Sequence, residues 1–229
     1  MKVVVLTGAG ISAESGVPTF RGSGGLWKSF RPEELATPEA FKSNPKLVWE
    51  WYLWRRSIIA NAEPNAGHVG LVELEKRFGE NFLLITQNVD GLHQKAGSKR
   101  VVELHGNIWR VRCLACKAVY YDYRLESDEL PLKCDFCGGI IRPDVVWFGE
   151  ALPEEALDTA YTWASSCQVF VSIGTSGTVY PAAELPHIAK IKGAKVIEIN
   201  PEKTPISSIA DDIIREPATK GVEKLLSIL

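Results

Sequence analysis

The sequence predicts an α/β fold: a doubly wound, mostly parallel sheet covered by helices, with a smaller module inserted into it. Three observations carry this. Short apolar, β-branched runs alternate with stretches that read as helices. The first run ends in a glycine-rich turn. Residues 26–61 and 108–146 break the alternation.

Val3-Val4-Val5-Leu6 lacks the polar alternation of a half-exposed strand, so it reads as a strand buried on both faces. Phe82 to Ile85, Val169 to Ile173 and Lys195 to Ile199 read the same way, with weaker runs at Val101 to Leu104 and Asp212 to Ile214. Pro64 to Phe78 reads as a helix: proline near its start, apolar Val69, Val72 and Leu74, and Gly79 as a stop. Pro153 to Ala164 and Pro181 to Lys192 follow the same pattern. Within 26–61, Thr37-Pro38 and Asn44-Pro45 each offer an N-cap followed by proline at the first helical position. The two interrupting stretches are expected to form one small module, leaving 1–25, 62–107 and 147–229 to the Rossmann-like sheet.

The bulk numbers fit one globular unit. The chain has 229 residues, 45% hydrophobic and 24% charged, enough apolar mass for a real core. Lys and Arg number 26 against 28 Asp and Glu, so the basic excess of a nucleic-acid binder is missing. No run of 18 apolar residues predicts a membrane span. The start of the chain lacks the basic region, longer apolar stretch and cleavage site of a signal peptide, so a cytoplasmic location is expected. Nothing in the sequence speaks to oligomeric state.

The first strand ends in Gly8-Ala9-Gly10-Ile11-Ser12-Ala13, a G-x-G-x-x-A turn in the setting where glycines let backbone approach a pyrophosphate and a helix start holds the anion. Alone, the motif is equally a tight turn. A dehydrogenase would also place an acidic residue on a second strand roughly 20 residues on. Here that region is the loop Gly16 to Gly25, carrying Phe20 and Arg21. It could fold over a ligand or be an ordinary surface loop.

Polar residues gather where the other strands end. These are Gln87, Asn88 and Asp90 after Phe82–Ile85, His105 after Val101–Leu104, Gly174-Thr175-Ser176 after Val169–Ile173, and Asn200 after Lys195–Ile199. Ligands of open α/β sheets bind beyond the carboxyl ends of strands. One Asn or Asp there is a turn former; four such strand ends point to a site. An unperturbed histidine titrates near neutrality, which makes His105 the acid/base candidate, against a structural hydrogen-bonded histidine. His68 and His187 lack that setting, and His93 is ambiguous.

Cys113-x-x-Cys116 and Cys134-x-x-Cys137, with 17 residues between the pairs, match four-cysteine zinc spacing. Four thiolates would close a tetrahedron and leave no open position, so the Zn2+ would be structural. Two redox C-x-x-C pairs are the alternative. Cys167 reads as a small buried residue.

Taken together, GAGISAESGVPTFRG (Gly8 to Gly22), TQNVDGLH (Thr86 to His93), ELHG (Glu103 to Gly106), the cysteine pairs, VVWFGE (Val145 to Glu150), GTSGTVYPA (Gly174 to Ala182) and EIN (Glu198 to Asn200) resemble the sirtuin family of NAD-dependent protein deacylases, in family order over nearly the whole chain. The resemblance implies an enzyme that moves an acyl group from lysine to the ribose of NAD, its co-substrate, giving nicotinamide, O-acyl-ADP-ribose and free lysine. It implies that Gly8, Ala9, Gly10, Ser12, Ala13, Phe20, Arg21 and Trp27 hold the pyrophosphate and nicotinamide-ribose side. Gln87, Asn88, Val89 and Asp90 would orient the ribose and the nicotinamide amide. Gly174, Thr175, Ser176, Asn200, Pro201, Glu202 and Ala218, in a C-terminal loop, would hold the adenosine half. His105 would be the general base, with Asn88 and Asp90 also catalytic. Val145, Trp147, Phe148, Gly149 and Val179 would clamp an acyl-lysine peptide by strand addition.

Pro45 to Ile59 carries Leu47, Trp51, Trp54 and Ile58 on one apolar stripe, flanked by Tyr52 and Arg55 three residues apart. The Tyr-x-x-Arg pair resembles the sirtuin subgroup that removes acidic acyl groups such as succinyl, since Arg offers a carboxylate a bidentate fork and Tyr a hydroxyl. The plain alternative is an amphipathic helix with a snorkelling Arg. Three rival functions remain: a nicotinamide-dependent oxidoreductase, a non-catalytic ADP-ribose reader, and ADP-ribosyl transfer as a side activity.

Overall fold

The computed structural model describes residues 1–20, 25–26 and 31–229. In chain order the elements are β1 (Val3–Thr7), α1 (Pro32–Leu35), α2 (Pro38–Ser43), α3 (Pro45–Ala60), α4 (Ala66–Phe78), β2 (Phe82–Thr86), α5 (Leu92–Ala96), β3 (Val101–Glu103), β4 (Gly106–Cys113), β5 (Val119–Tyr121), β6 (Ile141–Val145), α6 (Glu154–Ala164), β7 (Val169–Ile173), α7 (Leu185–Ile191), β8 (Lys195–Ile199), β9 (Asp212–Ile214) and α8 (Ala218–Ile228). Among the described residues no helix is long and apolar enough to cross a membrane.

Six strands form a parallel sheet in the order β3-β2-β1-β7-β8-β9. Every residue of β1, β2 and β7 is buried, because helices cover both faces. Alternate side chains serve opposite cores: Val3 and Val5 pack in one apolar cluster with α4 and α8, Val4 and Leu6 in the other with α6 and α7. The chain runs outward one way from β1 to β3, then starts again at β7 beside β1. This makes β1/β7 the switch point where doubly wound sheets bind ligands. The register is level there, with Thr7 opposite both Thr86 and Ile173, and Ile173 opposite Ile199. Residues following these four strands therefore emerge side by side.

The two interrupting stretches share a third core, in which helices α1–α3 pack on an antiparallel sheet of order β5-β4-β6. Thr37 and Asn44 cap α2 and α3 as their sequence predicts, accepting from Ala40 N and Leu47 N. Trp49 Nε1 donates to Ile141 O (2.9 Å) and Arg56 Nε to Ile108 O (2.9 Å), which ties α3 to this sheet.

Three local expectations need correction. Ala9–Ser15, after the first glycine, is a 3₁₀ helix rather than the start of an α-helix. Pro181 precedes a 3₁₀ turn, Ala182–Glu184, before α7 begins. The stripe assigned to α3 is only partly its buried face: Trp51 is buried and Ile58 half-buried, but Leu47 and Trp54 are exposed, at 40% and 41%, while Val48, Trp49, Tyr52, Leu53, Arg55, Arg56 and Ile59, most of them off the stripe, are buried. The helix is enclosed on most sides, so no single stripe marks its contact face.

Candidate active site

A cavity of about 690 Å³ opens at the carboxyl ends of β1, β2, β7 and β8. Sequence-predicted residues from five segments line it: Gly8, Ala9, Gly10, Ala13 and Phe20; Gln87, Asn88 and Val89; His105; Gly174, Thr175 and Ser176; Asn200, Pro201 and Glu202. Ala218 lines it too, although it opens α8 instead of lying in a loop. Arg21 and Trp27 lie outside the described residues.

The glycines have a physical reason of their own beside the one their motif suggests. A Cβ on Gly8 would stand 2.8 Å from Gly174 O, and one on Gly10 2.6 Å from Gly174 Cα. Their N–H groups donate to Ile173 O (3.0 Å) and Gly174 O (2.8 Å). Gly8 and Gly10 thus join the first loop to the second, and their amides are not free for an anion. Gly174 itself sits at φ +59, a conformation that glycine adopts without strain. Gln87 Nε2 and Asn200 Nδ2 donate to Thr175 Oγ1 and O, both 2.9 Å, binding neighbouring strand ends to the same loop. Glu14 caps α8, accepting from Thr219 N (3.0 Å) and Oγ1 (2.8 Å), which holds Ala218 over the cavity.

Ser12 and Asp90 are not on the cavity wall; they are buried behind it. Ser12 Oγ donates to Asp90 Oδ2 (2.8 Å) and accepts from Asn88 Nδ2 (3.2 Å). Asp90 therefore acts on the cavity through Ser12 and Asn88. Burial raises the Asp90 carboxyl above its ordinary value, opposed by the Leu92 and Ser12 hydrogen bonds and by Arg55.

Reading the sequence missed the layer beneath. Asn65 caps α4, and its N–H donates to His68 Nδ1 (3.2 Å). That leaves Nε2 as the protonated nitrogen, donating to Ser12 Oγ (3.3 Å). His93 Nε2 sits 2.9 Å from Thr7 Oγ1, which donates onward to Thr86 Oγ1 (2.8 Å). Burial lowers His68 to about 4 and His93 to about 3, so both are neutral near pH 7. The Asn65-x-x-His68 capping box was the one sequence signal available. Likewise buried Glu198 accepts from Thr204, Ser207 (2.6 Å) and Arg215 (2.8 Å), shaping the loop after β8.

His105 has the geometry of a base. Its Nδ1 lies 2.9 Å from the Gln87 carbonyl, which can only accept, so Nδ1 carries the hydrogen and Nε2 is the free acceptor. Burial lowers its pKa below 6.5, partly offset by the Gln87 bond. A base must be deprotonated to act, so its activity falls as pH drops through this lowered value. We expect the acid limb of a kcat/KM–pH profile, which reports the free enzyme, to have its midpoint below pH 6.5. A midpoint above 7 would contradict the assignment.

The cavity is also lined by Tyr52 and Arg55 from α3, Val145, Trp147, Phe148 and Gly149 from the end of β6 and the turn after it, and Val179. Val146 N donates to His105 O (2.9 Å) and Phe148 N to Ala36 O (2.9 Å), so this segment is tied to both modules. Arg55 is 7% exposed, with its Cζ 4.8 Å from the Phe20 ring, 4.9 Å from Trp51 and 5.8 Å from Tyr52. Burial is the largest influence on both groups, lowering Arg55 and raising Tyr52.

Away from the cavity, the Sγ atoms of Cys113, Cys116, Cys134 and Cys137 all lie within 4.8 Å of one another. Cys113–Cys137 and Cys116–Cys134 are 3.5 and 3.7 Å apart. Tetrahedral zinc at its usual Zn–S length puts sulfurs about 3.8 Å apart, so the cluster fits a structural Zn2+ held by four thiolates. Cys167 is buried and separate.

The sequence model of the Sir2 family matches residues 8–181. An NAD-dependent protein deacylase of Aquifex aeolicus (strain VF5) is 61% identical over 229 residues, covering 100% of this chain and 95% of the relative. A solved Sir2 homolog–NAD complex superposes with a TM-score of 0.92 at 47% identity, over 99% of this chain and 88% of that one. A Sir2–p53 peptide–NAD+ complex gives 0.86 at 36% identity, over 99% and 92%. With a family match over most of its length and a relative this similar from end to end, the chain belongs to the Sir2 family, the sirtuins.

Proposed function

We propose that this sirtuin, an NAD-dependent protein-lysine deacylase, removes carboxylate-bearing acyl groups of the succinyl and malonyl type as well as acetyl. The observation that carries the acidic preference is Arg55. It is buried and it lines the cavity, and among the described residues no carboxylate or carbonyl hydrogen-bonds to it; Asp90 acts on it through space only and is itself bonded to Ser12 and the Leu92 amide. A buried cation without a direct ionic contact is costly, and a substrate carboxylate beside it would offset that cost. Tyr52 adds a second donor on the same helix face.

NAD supplies the ribose that accepts the acyl group and nicotinamide as the leaving group. A cavity of about 690 Å³ at the switch point, walled by two glycine loops, suits a dinucleotide. In this reading the segments of Gly8–Ala13, Phe20 and Arg21, with Trp27, hold the pyrophosphate side, and Gly174–Ser176, Asn200–Glu202 and Ala218 the adenosine side. Gln87, Asn88 and Val89 orient ribose and nicotinamide, Asn88 being held by the buried Ser12–Asp90 pair. The acyl-lysine carbonyl oxygen bonds to the ribose C1′ as nicotinamide leaves; His105 Nε2 then takes the proton from a ribose hydroxyl, which attacks the acyl carbon, and one water completes the release of free lysine and O-acyl-ADP-ribose. The acyl-lysine peptide lies against Val145, Trp147, Phe148, Gly149 and Val179. The same reading divides the chain into a sheet domain (1–25, 62–107, 147–229) and a small module (26–61, 108–146), supported by the core the two insertions share. It places the enzyme in the cytoplasm, where thiols remain available to zinc.

The test is mass spectrometry of purified protein with NAD and matched succinyl- and acetyl-lysine peptides. Charge-assisted hydrogen bonds imply that Arg55→Met lowers the succinyl-to-acetyl ratio of kcat/KM by about 10- to 100-fold. An unchanged ratio sinks the acidic preference. Formation of reduced cofactor instead of free nicotinamide would favour an oxidoreductase.

A further inference from the structure

The acyl pocket holds a hydrogen-bond arrangement that goes beyond the presence of Tyr52 and Arg55. Trp147 Nε1 and Tyr52 Oη are 2.9 Å apart, in side chains that are 3% and 2% exposed. An indole N–H can only donate, so the phenol oxygen accepts here. Its own hydrogen must then point elsewhere, and among the described residues nothing accepts it. The indole is not free to turn away. The Arg142 guanidinium lies 3.4 Å over its ring, and Arg142 Nη1 and Nη2 donate to the two Glu150 oxygens (2.6 and 2.9 Å). Glu150 also accepts the Trp147 backbone N–H (2.9 Å), and the Phe41 ring stands 5.3 Å away.

We infer that Trp147 is a selectivity-positioning residue: its fixed N–H commits the Tyr52 hydroxyl to donating, so that Tyr52 and Arg55 present donors only and the pocket recognises acyl groups ending in an ionised carboxylate. This rests on the acidic-acyl reading above. A carboxylate is acceptor-only and satisfies every donor it meets. A carboxamide of the same shape turns an NH2 toward N–H and O–H groups, and its hydrogens find no acceptor. The pocket therefore separates succinyl-lysine from its terminal amide, two groups of nearly equal size, and not merely large acyl groups from small.

The experiment measures kcat/KM of the full-length enzyme with NAD on three matched peptides: succinyl-lysine, its terminal carboxamide analogue, and acetyl-lysine. The wild type is expected to favour the carboxylate over the carboxamide by about 100-fold or more. Trp147→Phe keeps a ring but frees the Tyr52 oxygen to accept from the amide, so this ratio should narrow about tenfold. In a Tyr52→Phe background the same change should alter the ratio by less than about twofold, because Trp147 acts through the hydroxyl. If Trp147→Phe does not fold, the wild-type comparison and Tyr52→Phe alone still test the donor-only pocket: the ratio should be large in the first and narrowed in the second. A wild type that prefers acetyl to succinyl overturns the acidic-acyl reading itself. A wild type that prefers succinyl yet takes the carboxamide equally well, or a Trp147→Phe enzyme with an unmoved ratio, overturns this inference alone.

Discussion

Replacing His105 with alanine is expected to slow acyl transfer by about 10³-fold, within the range that a positioned general base contributes. In the proposed reaction the residue would owe its role as base to a single donor–acceptor relation. The Gln87 carbonyl holds the hydrogen on Nδ1, which leaves Nε2 as the nitrogen able to accept a proton. The same contact explains why the loss should be selective. The loops that form the nucleotide site are joined through Gly8, Gly10, Gln87, Asn200 and Thr175 side chains and amides, none of which needs the imidazole. ADP-ribose should then bind His105→Ala within about threefold of the wild type by calorimetry, since the base serves a proton transfer and not ground-state binding. Exchange of labelled nicotinamide into NAD in the presence of acyl peptide should persist, because the leaving group departs before the ribose proton is taken. A variant that keeps more than a tenth of its single-turnover rate would remove His105 from the base role. One that loses ADP-ribose binding would make it structural.

How far the sequence carries depends on whether the controlling contact is local. Val3 to Leu6 and Val169 to Ile173 announce buried parallel strands because burial on both faces removes polar alternation, and the level register then follows from pairing. The four cysteines are legible because ligand chemistry constrains spacing along the chain. Tyr52 and Arg55 are legible because positions i and i+3 share a helix face. Gly8 and Gly10 are legible from their motif, but their close packing on Gly174, more than 160 residues away, is not, because motif geometry says nothing about such a partner. His68 has no setting in the sequence and His93 is ambiguous there, since their meaning lies in long-range bonds to Ser12 and Thr7. The α3 stripe holds only in part, because a helix buried on most sides offers no contrast for periodicity to detect.

Arg56 shows the same limit, and the second large effect is expected at its partner. Asp122→Ala should destabilise the protein by about 3–5 kcal/mol, the usual result of leaving a buried charge unpaired. Side-chain exposure is 0% for Arg56 and 3% for Asp122, with Nη1 to Oδ1 at 2.8 Å. Arg56 also donates through Nε to Ile108 O and through Nη1 to Arg124 O (3.1 Å), between the Trp49 and Trp109 rings. Burial pushes the Asp122 carboxyl up, but Arg124 and Arg56 outweigh it and hold it below the usual carboxylate value, so it is ionised at neutral pH. Removing it strands a guanidinium that already has one nitrogen, Nη2, without a partner. In a chain of this length, the loss should appear as a fall in Tm of roughly 6–20 °C by calorimetry. The paired change Arg56→Met with Asp122→Leu should cost much less, because it removes both charges and keeps apolar volume. A Tm within 2 °C of wild type for Asp122→Ala would show that the pair does not pin the module. Arg55 is the next residue on the helix that Arg56 anchors. If the pin is real, Asp122→Ala should weaken succinyl turnover more than acetyl turnover even below its lowered Tm, since only the larger substrate relies on where that helix face stands.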